Sequence, residues 1–230
     1  FFAWAFILAG LTPEEKKRMV LIVVLFGASA LFFAGFEQAG SSFSLFAERY
    51  TIRTVGSLGT IPAGQFQSLN SLMVIGLAPV VAMLWNWLAR RKAEPAMITK
   101  FSWGLFALAL GFVVAAFAAQ RALATGPVLP TWLIGIYLLH TLGELFLSPI
   151  GLSAVSKLAP ERLAGQTMGI WFLGSSLGNI LAGLLAGEVS GDAAAQMPHI
   201  FMQVVYLAGA TGVVLLVLSR PLSRLMKGVQ

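Results

Sequence analysis

A long apolar run decides the fold: residues 19–47 read MVLIVVLFGASALFFAGFEQAGSSFSLFA. A helix needs about 20 predominantly apolar residues to cross the hydrocarbon core of a bilayer, and this run is longer than that. It contains a single ionisable side chain, Glu37. The stretch therefore predicts a membrane-spanning helix that keeps a carboxylate inside the apolar region, where ionisable groups are rare and mark functional sites.

The composition of the whole chain indicates an integral membrane protein. Of its 230 residues, 58% are hydrophobic and 10% are charged, whereas soluble domains carry about 25% charged residues. Apolar runs between polar breaks predict an all-α membrane protein, a bundle of six transmembrane helices that we call spans A to F. These spans cover residues 17–47, 62–88, 101–124, 131–156, 166–187 and 199–219.

The Lys and Arg residues predict the orientation of the bundle. If the segment before span A is cytoplasmic and the sides alternate, only Arg49, Arg53 and Arg121 fall on the outer side. This asymmetry favours a cytoplasmic position for both ends of the chain. The net charge of +6 is carried by short loops between spans, so we expect no nucleic-acid partner. The absence of cysteine excludes disulfides and thiolate metal sites.

Three ionisable side chains fall mid-span: Glu37 in span A, and His140 and Glu144 in span D. A charged carboxylate at the bilayer centre costs on the order of 2.5 to 3.5 kcal/mol by insertion scales. Two interpretations are open: each acid pairs with a neighbouring helix for structural reasons, or both face a water-filled cavity. Because no Lys or Arg falls mid-span, their counter-charges must come from outside this chain, from protons or from ligand, which favours the functional interpretation.

Span D carries a polar stripe. His140, Glu144 and Ser148 recur at every fourth residue and therefore share one helix face. Pro149 follows them, removes one backbone hydrogen bond and predicts a bend beside the acid. Span B is a second polar helix with an internal proline, and it contributes Asn70. Irregular helices with polar interiors are typical of moving parts in transporters.

Span E is rich in small residues at four-residue spacing, such as Gly174 and Gly178. Small faces allow helices to approach closely, so this pattern predicts helix packing. Trp171 lies one turn before Ser175 in the same span. An indole at that position is either an anchor at the membrane interface or the wall of a ligand pocket, and the position alone leaves both open.

Four segments resemble one known family. They are FEQAGSSFSLFAERY at 36–50, QSLN at 67–70, GELFLSPIGLSAVSKLAP at 143–160 and MGIWFLGSSLGN at 168–179. In this order and in these spans they are similar to segments of the proton-dependent oligopeptide transporters, a family of the major facilitator superfamily. The resemblance extends over 12–220 and implies the second half of that fold, the family's helices 7 to 12.

The resemblance also implies roles for single residues. Glu37 corresponds to the family's proton-coupling acid, and Glu48 resembles an acid that forms a gating salt bridge with the first half. Glu144 corresponds to the acid that faces the amino terminus of the peptide. Together with Ser148 of the polar stripe, the expected peptide-binding residues are Asn70, Glu144, Ser148, Trp171 and Ser175. We assign no role to His140.

The function implied is proton-coupled symport of di- and tripeptides across the bacterial inner membrane by alternating access. Protons are the coupling ion, and no cofactor or metal is expected. The peptide site is then shared with an N-terminal six-helix half of the same transporter. Residues 1–11 are expected to be the end of a linker helix, 12–220 the six-helix bundle and 221–230 a cytoplasmic tail.

Other functions remain possible at this stage. A drug or sugar porter of the same superfamily shares the helix count and the kinks, and a non-transporting structural membrane subunit is a further alternative. An enzyme is disfavoured by the residues. His140 and Glu144 offer two metal ligands at helical spacing without a third nearby, and Ser148 is not part of a GxSxG turn.

Overall fold

The computed structural model of the chain is almost entirely helical and describes residues 1–54, 56, 59–187 and 195–224, with the side chains of 185–187 left aside. Short 3-10 segments cover Glu37–Gly40, Ala63–Gln67 and Glu161–Leu163. The α-helices are α1 (Phe2–Leu8), α2 (Pro13–Phe36), α3 (Ser42–Tyr50), α4 (Ser68–Arg90), α5 (Met97–Thr125), α6 (Thr131–Leu158), α7 (Ala164–Gly187) and α8 (Met197–Arg224).

Six helical segments within the described residues are long and apolar enough to cross a membrane. The six-helix bundle expected from the sequence is thereby confirmed, with ends displaced by a few residues. The segments are Pro13–Tyr50, Ala63–Arg90, Met97–Thr125, Thr131–Leu158, Glu161–Leu184 and Met197–Arg224.

The first span differs from its prediction, because it is not one continuous α-helix. It begins at Thr12 with a capping box, in which Thr12 and Glu15 exchange backbone-to-side-chain hydrogen bonds of 2.8 and 3.3 Å. At Glu37–Gly40 the α-helix gives way to a 3-10 turn, and Ser41 leaves the helical conformation with φ −123° and ψ −88°. Glycine and serine are weak helix formers, which explains why the break falls here.

Helix α5 packs against α6 and α8, while α2 packs against α7. Helix α4 contacts mainly α6, and Val81 is its only buried residue. The described residues therefore leave most of the α4 surface uncovered and available to lipid or to another protein segment. The interior of α5 contains large apolar side chains such as Phe101, Leu105 and Phe112, all fully buried.

Glycine faces bring several helices into close contact, as the small-residue pattern predicts. A Cβ atom added at Gly178 of α7 would lie 2.9 Å from the backbone nitrogen of Ala34, and one at Gly174 would lie 3.3 Å from the Phe26 ring. The packing prediction for span E is thereby confirmed at these two positions. A Cβ atom added at Gly183, further along α7, would meet no atom of the described residues within 4 Å.

The two ends of the chain adjoin the bundle differently. Helix α1 rests on α2 through an edge-to-face contact between Phe2 and Phe26, with ring centroids 5.6 Å apart. Arg162 donates hydrogen bonds to the Gly10 carbonyl (3.1 Å) and to the Glu15 carboxylate (3.3 Å). At the other end α8 continues to Arg224, so the expected tail at 221–230 begins as helix, and 225–230 lie outside the described residues.

Replacing Gly178 by alanine is expected to destabilise the bundle, because its methyl group would overlap the α2 backbone and overpacking costs about 1 to 3 kcal/mol. Gly183→Ala on the same helix is the matched control, which gains helix propensity of up to about 1 kcal/mol. Thermal unfolding in detergent measures both. Equal melting temperatures for the two variants would contradict the close α2–α7 contact.

Candidate functional site

Glu37 lies at the break in the first span, as the first residue of the 3-10 turn. Its side chain is half-buried. No hydrogen bond or ion pair joins its carboxylate to any described residue. The break therefore places a carboxylate in an apolar span, and the described residues provide neither a hydrogen-bond donor nor a cation for it.

Glu144, on α6, faces helix α4. The Nδ2 atom of Asn70 donates a hydrogen bond to Glu144 Oε2 at 3.1 Å and another to Thr141 Oγ1 at 3.0 Å. Both protons of the Asn70 amide are thereby used, and the amide fixes the relation between the two helices. Asn70 and Glu144 are brought together as the sequence analysis expects of one site. Thr141, which is fully buried, was missed, because a threonine in an apolar helix gives no distinctive sequence signal.

Neither Glu37 nor Glu144 takes part in the ion pairs that the described residues form. Among the described residues the ion pairs lie elsewhere: Lys17 with Glu14, Lys100 with Glu94, and Arg162 with Glu15. No described Lys or Arg pairs with either intramembrane acid. The two carboxyl groups thus remain without a counter-charge from the described part of the chain.

A pocket of about 370 Å³ opens between α2, α6 and α7. It unites three of the residues singled out from the sequence, Ser148, Trp171 and Ser175. The Ser148 hydroxyl is buried and has no partner among the described residues, whereas Ser175 donates to the Phe172 carbonyl of its own helix at 2.8 Å. The lining consists of Phe33, Ser148, Pro149, Leu152, Trp171, Phe172 and Ser175.

Trp171 forms a wall of this pocket and is only 7% exposed. Its ring occupies the space next to Gly151 on α6, where any Cβ atom would overlap the indole. Phe101 supports it in an edge-to-face contact, with ring centroids 6.4 Å apart. Of the two interpretations of this tryptophan, the structure favours the pocket wall over the interfacial anchor. The contribution of Gly151 was not predicted, because it depends on a contact between helices.

The polar stripe of span D divides in the structure. Glu144 turns toward Asn70 and Ser148 toward the α7 pocket, whereas His140 is 2% exposed and packs between the rings of Phe43 and Phe112. A cavity of about 120 Å³ adjoins it. The residues that line this cavity are Phe36, Ala39, Gln67, Asn70, Tyr137 and His140.

Gln38, next to Glu37, is a polar residue that the sequence analysis did not select. Its side chain is 0% exposed, and neither its amide oxygen nor its amide nitrogen has a partner among the described residues. The hydroxyl groups of Ser41 and Ser42 are likewise buried without a partner. The available signal was the presence of four polar side chains within the six residues 37–42 of a lipid-spanning segment.

Glu48 is exposed near the end of α3 and forms no ion pair with a described residue. Its expected salt bridge to another half of the protein therefore remains a prediction. Within the described ranges there is no group of three or more His, Cys, Asp or Glu residues arranged to hold a metal ion.

Comparison with known proteins gives consistent matches. The model of the POT family matches residues 5–200. The peptide transporter YePEPT of Yersinia enterocolitica is 42% identical over 232 residues, covering 100% of this chain and 45% of the relative. Dipeptide and tripeptide permease A of Chromobacterium violaceum is 34% identical over 170 residues, covering 74% of this chain and 34% of the relative.

The fold has close counterparts among solved structures. A crystal structure of a peptide transporter POT in complex with sulfate superposes with a TM-score of 0.89 at 35% identity. The match covers 99% of this chain and 45% of the other. This chain thus spans less than half the length of the solved transporter and of the two relatives.

The Asn70 amide is expected to couple energetically to Thr141. Because Asn70→Ala and Thr141→Val each remove the same hydrogen bond, the double variant should be less destabilised than the sum of the single variants. The expected coupling is about 0.6 to 1.7 kcal/mol, the range for hydrogen bonds between membrane helices. Thermal unfolding of the four proteins measures it. Strictly additive effects would show that the α4–α6 hydrogen bond is absent in the membrane.

Proposed function

This chain belongs to the POT family, and from that premise we propose that it forms half of a proton-coupled transporter of dipeptides and tripeptides. The observation that carries the proposal is the pair of intramembrane acids, Glu37 and Glu144, which have no cationic partner among the described residues. The relatives named above are transporters, and we assign the chain no enzymatic activity and no cofactor.

Glu144 is proposed to bind the amino terminus of the peptide. A short peptide is a zwitterion, so moving it into a membrane protein requires an acceptor for its ammonium group and a donor for its carboxylate. The Asn70 hydrogen bond to Oε2 holds the Glu144 carboxylate on the α4 side, which leaves its other oxygen for the ammonium group. Asn70 itself offers its amide oxygen to the peptide backbone.

The carboxylate of the peptide needs a cation that the described part of this chain does not bring to the acids. We therefore propose that a Lys or Arg of an N-terminal six-helix half supplies it, so that the peptide binds between two halves. The uncovered surface of α4 supports such an arrangement. In this proposal 1–11 is the end of a linker helix, 12–220 the second half and 221–230 a cytoplasmic tail.

The α7 pocket is proposed to receive a side chain of the peptide. Its walls are mainly aromatic and apolar, with the hydroxyl groups of Ser148 and Ser175 as the polar exceptions. A volume of about 370 Å³ is at the lower end of the usual range for small-molecule sites. An apolar pocket discriminates weakly between apolar side chains, by about 1 to 3 kcal/mol per methylene, which is consistent with acceptance of many peptides.

Glu37 is proposed to be the proton-coupling residue. An apolar surrounding favours the neutral carboxyl group, whereas a nearby cation favours the carboxylate. A basic residue of the other half that approaches Glu37 would hold it ionised, and protonation would release that residue. The two states bias the rocking of one half against the other. Glu48, exposed near the outer end of the first span, is proposed to form a gating salt bridge in the same cycle.

The location proposed for the transporter is a bacterial inner membrane, with both ends of this segment in the cytoplasm. The Lys and Arg asymmetry of the loops supports this orientation. The relatives' names support peptides as substrates over the drugs or sugars carried by other porters of the superfamily. A purely structural subunit would have no use for unpaired intramembrane acids, which are costly to retain.

The coupling role is tested by dipeptide uptake into liposomes that contain the full-length protein. With Glu37→Gln, we expect uptake driven by a pH gradient to fall to background, while exchange of internal for external dipeptide continues, because the glutamine mimics the protonated state. Glu161→Gln, at an exposed site in the loop before α7, is the matched control and should retain both. Equal gradient-driven uptake by wild type and Glu37→Gln would refute the coupling role.

The side-chain pocket is tested by substrate choice. Trp171→Ala removes the wall of the pocket, so we expect uptake of dipeptides with a bulky apolar residue to fall about tenfold more than uptake of dialanine, as for loss of an aromatic anchor. Competition between the two peptides measures the ratio. Trp87→Ala on α4, where the indole is 48% exposed, serves as control. An equal loss of uptake for both peptides would show that the peptide side chain binds outside this pocket.

A further inference from the structure

His140 is a buried polar residue that the proposed mechanism does not use. It lies on α6, one turn before Glu144, it is 2% exposed, and its imidazole packs against Gly111 of α5. The rings of Phe43 and Phe112 flank it, with centroids 5.4 and 5.0 Å from its own. A histidine held between two aromatic rings inside a helix interface needs an explanation, because apolar side chains fill such a space at lower cost.

The imidazole occupies a notch on α5 that only glycine provides. A Cβ atom added at Gly111 would overlap both Cδ2 and Nε2 of His140. Nε2 is buried and has no partner among the described residues. The side chain thus fits α5 in shape.

A second contact between the same helices lies two turns earlier on α5 and about one turn later on α6. Gly104 and Gly143 approach so closely that a Cβ on either one would lie 2.9 or 2.8 Å from the carbonyl oxygen of the other. Gly104 and Gly111 are seven residues apart on α5 and share one face. Helix α6 is therefore held to α5 at two points, one at His140 and one at Gly143, the residue immediately before Glu144.

We propose that His140 is a positioning residue for the peptide site, a role that rests on the transport function proposed above. By seating in the Gly111 notch it fixes the rotation of α6 against α5. Thr141 lies between the two contact points along α6, and Glu144 directly follows the second. Their hydrogen bonds with Asn70 of α4 depend on that rotation, because a misplacement of about 1 Å can cost an active site about a hundredfold in rate.

The test uses dipeptide uptake by the full-length protein in liposomes, with KM and maximal rate per folded transporter determined separately. The proteins are wild type, Gly111→Ala, His140→Ala and the double variant. Gly135→Ala on α6 is the matched control, because a methyl group there meets nothing within 4 Å. Thermal unfolding of the same proteins gives a second readout that needs no substrate.

Gly111→Ala is expected to raise KM on the order of tenfold with little change in maximal rate, because its methyl group displaces His140. In the double variant the alanine at 111 fills space vacated at 140, so KM should be lower than in Gly111→Ala alone. The proposal would be overturned if the fold-change in KM of the double variant equalled the product of those of the two single variants to within about twofold. It would also be overturned if the variants lost folded protein while KM stayed constant. Absence of uptake by the wild type would overturn the proposed function instead, and the coupling in melting temperatures would still decide whether the two residues form one contact.

Discussion

An ionisable group inside a lipid-spanning helix must reach water, a counter-charge or a proton, and this constraint governs the rest of the molecule. Glu37 and Glu144 lie in different helical segments. Neither has a cationic partner among the described residues. In the proposed function, another half of the transporter, the substrate and protons complete the balance of charge.

Different helices contribute different contacts around these acids. Helix α5 holds α6 through glycine notches at Gly104 and Gly111. The first span is broken at Glu37, and the side chains of Gln38, Ser41 and Ser42 are buried there without a partner among the described residues. Helix α4 contributes the Asn70 amide and leaves most of its surface uncovered.

The sequence predicted the six spans and the small-residue packing of α7 because both follow from local composition and spacing. It also selected Asn70 and Glu144, and Ser148 with Trp171, which the structure brings together in two neighbouring groups. The break after Phe36 escaped prediction, because hydropathy is the same in a broken and an intact helix. Thr141, Gly111 and Gly151 escaped for another reason: their importance lies in contacts with residues far away in the chain, which no local pattern contains.

The central claim is that Glu37 and Glu144 both face a water-filled cavity. Its most direct test is the reactivity of single cysteines with a charged, membrane-impermeant thiol reagent. This chain contains no cysteine, so residues 37 and 144 are each replaced in a cysteine-free full-length protein. Both cysteines are expected to react. A cysteine at Val217, 71% exposed on α8, should stay unreactive in lipid. Cysteines at 37 and 144 as inert as the one at 217 would contradict the account.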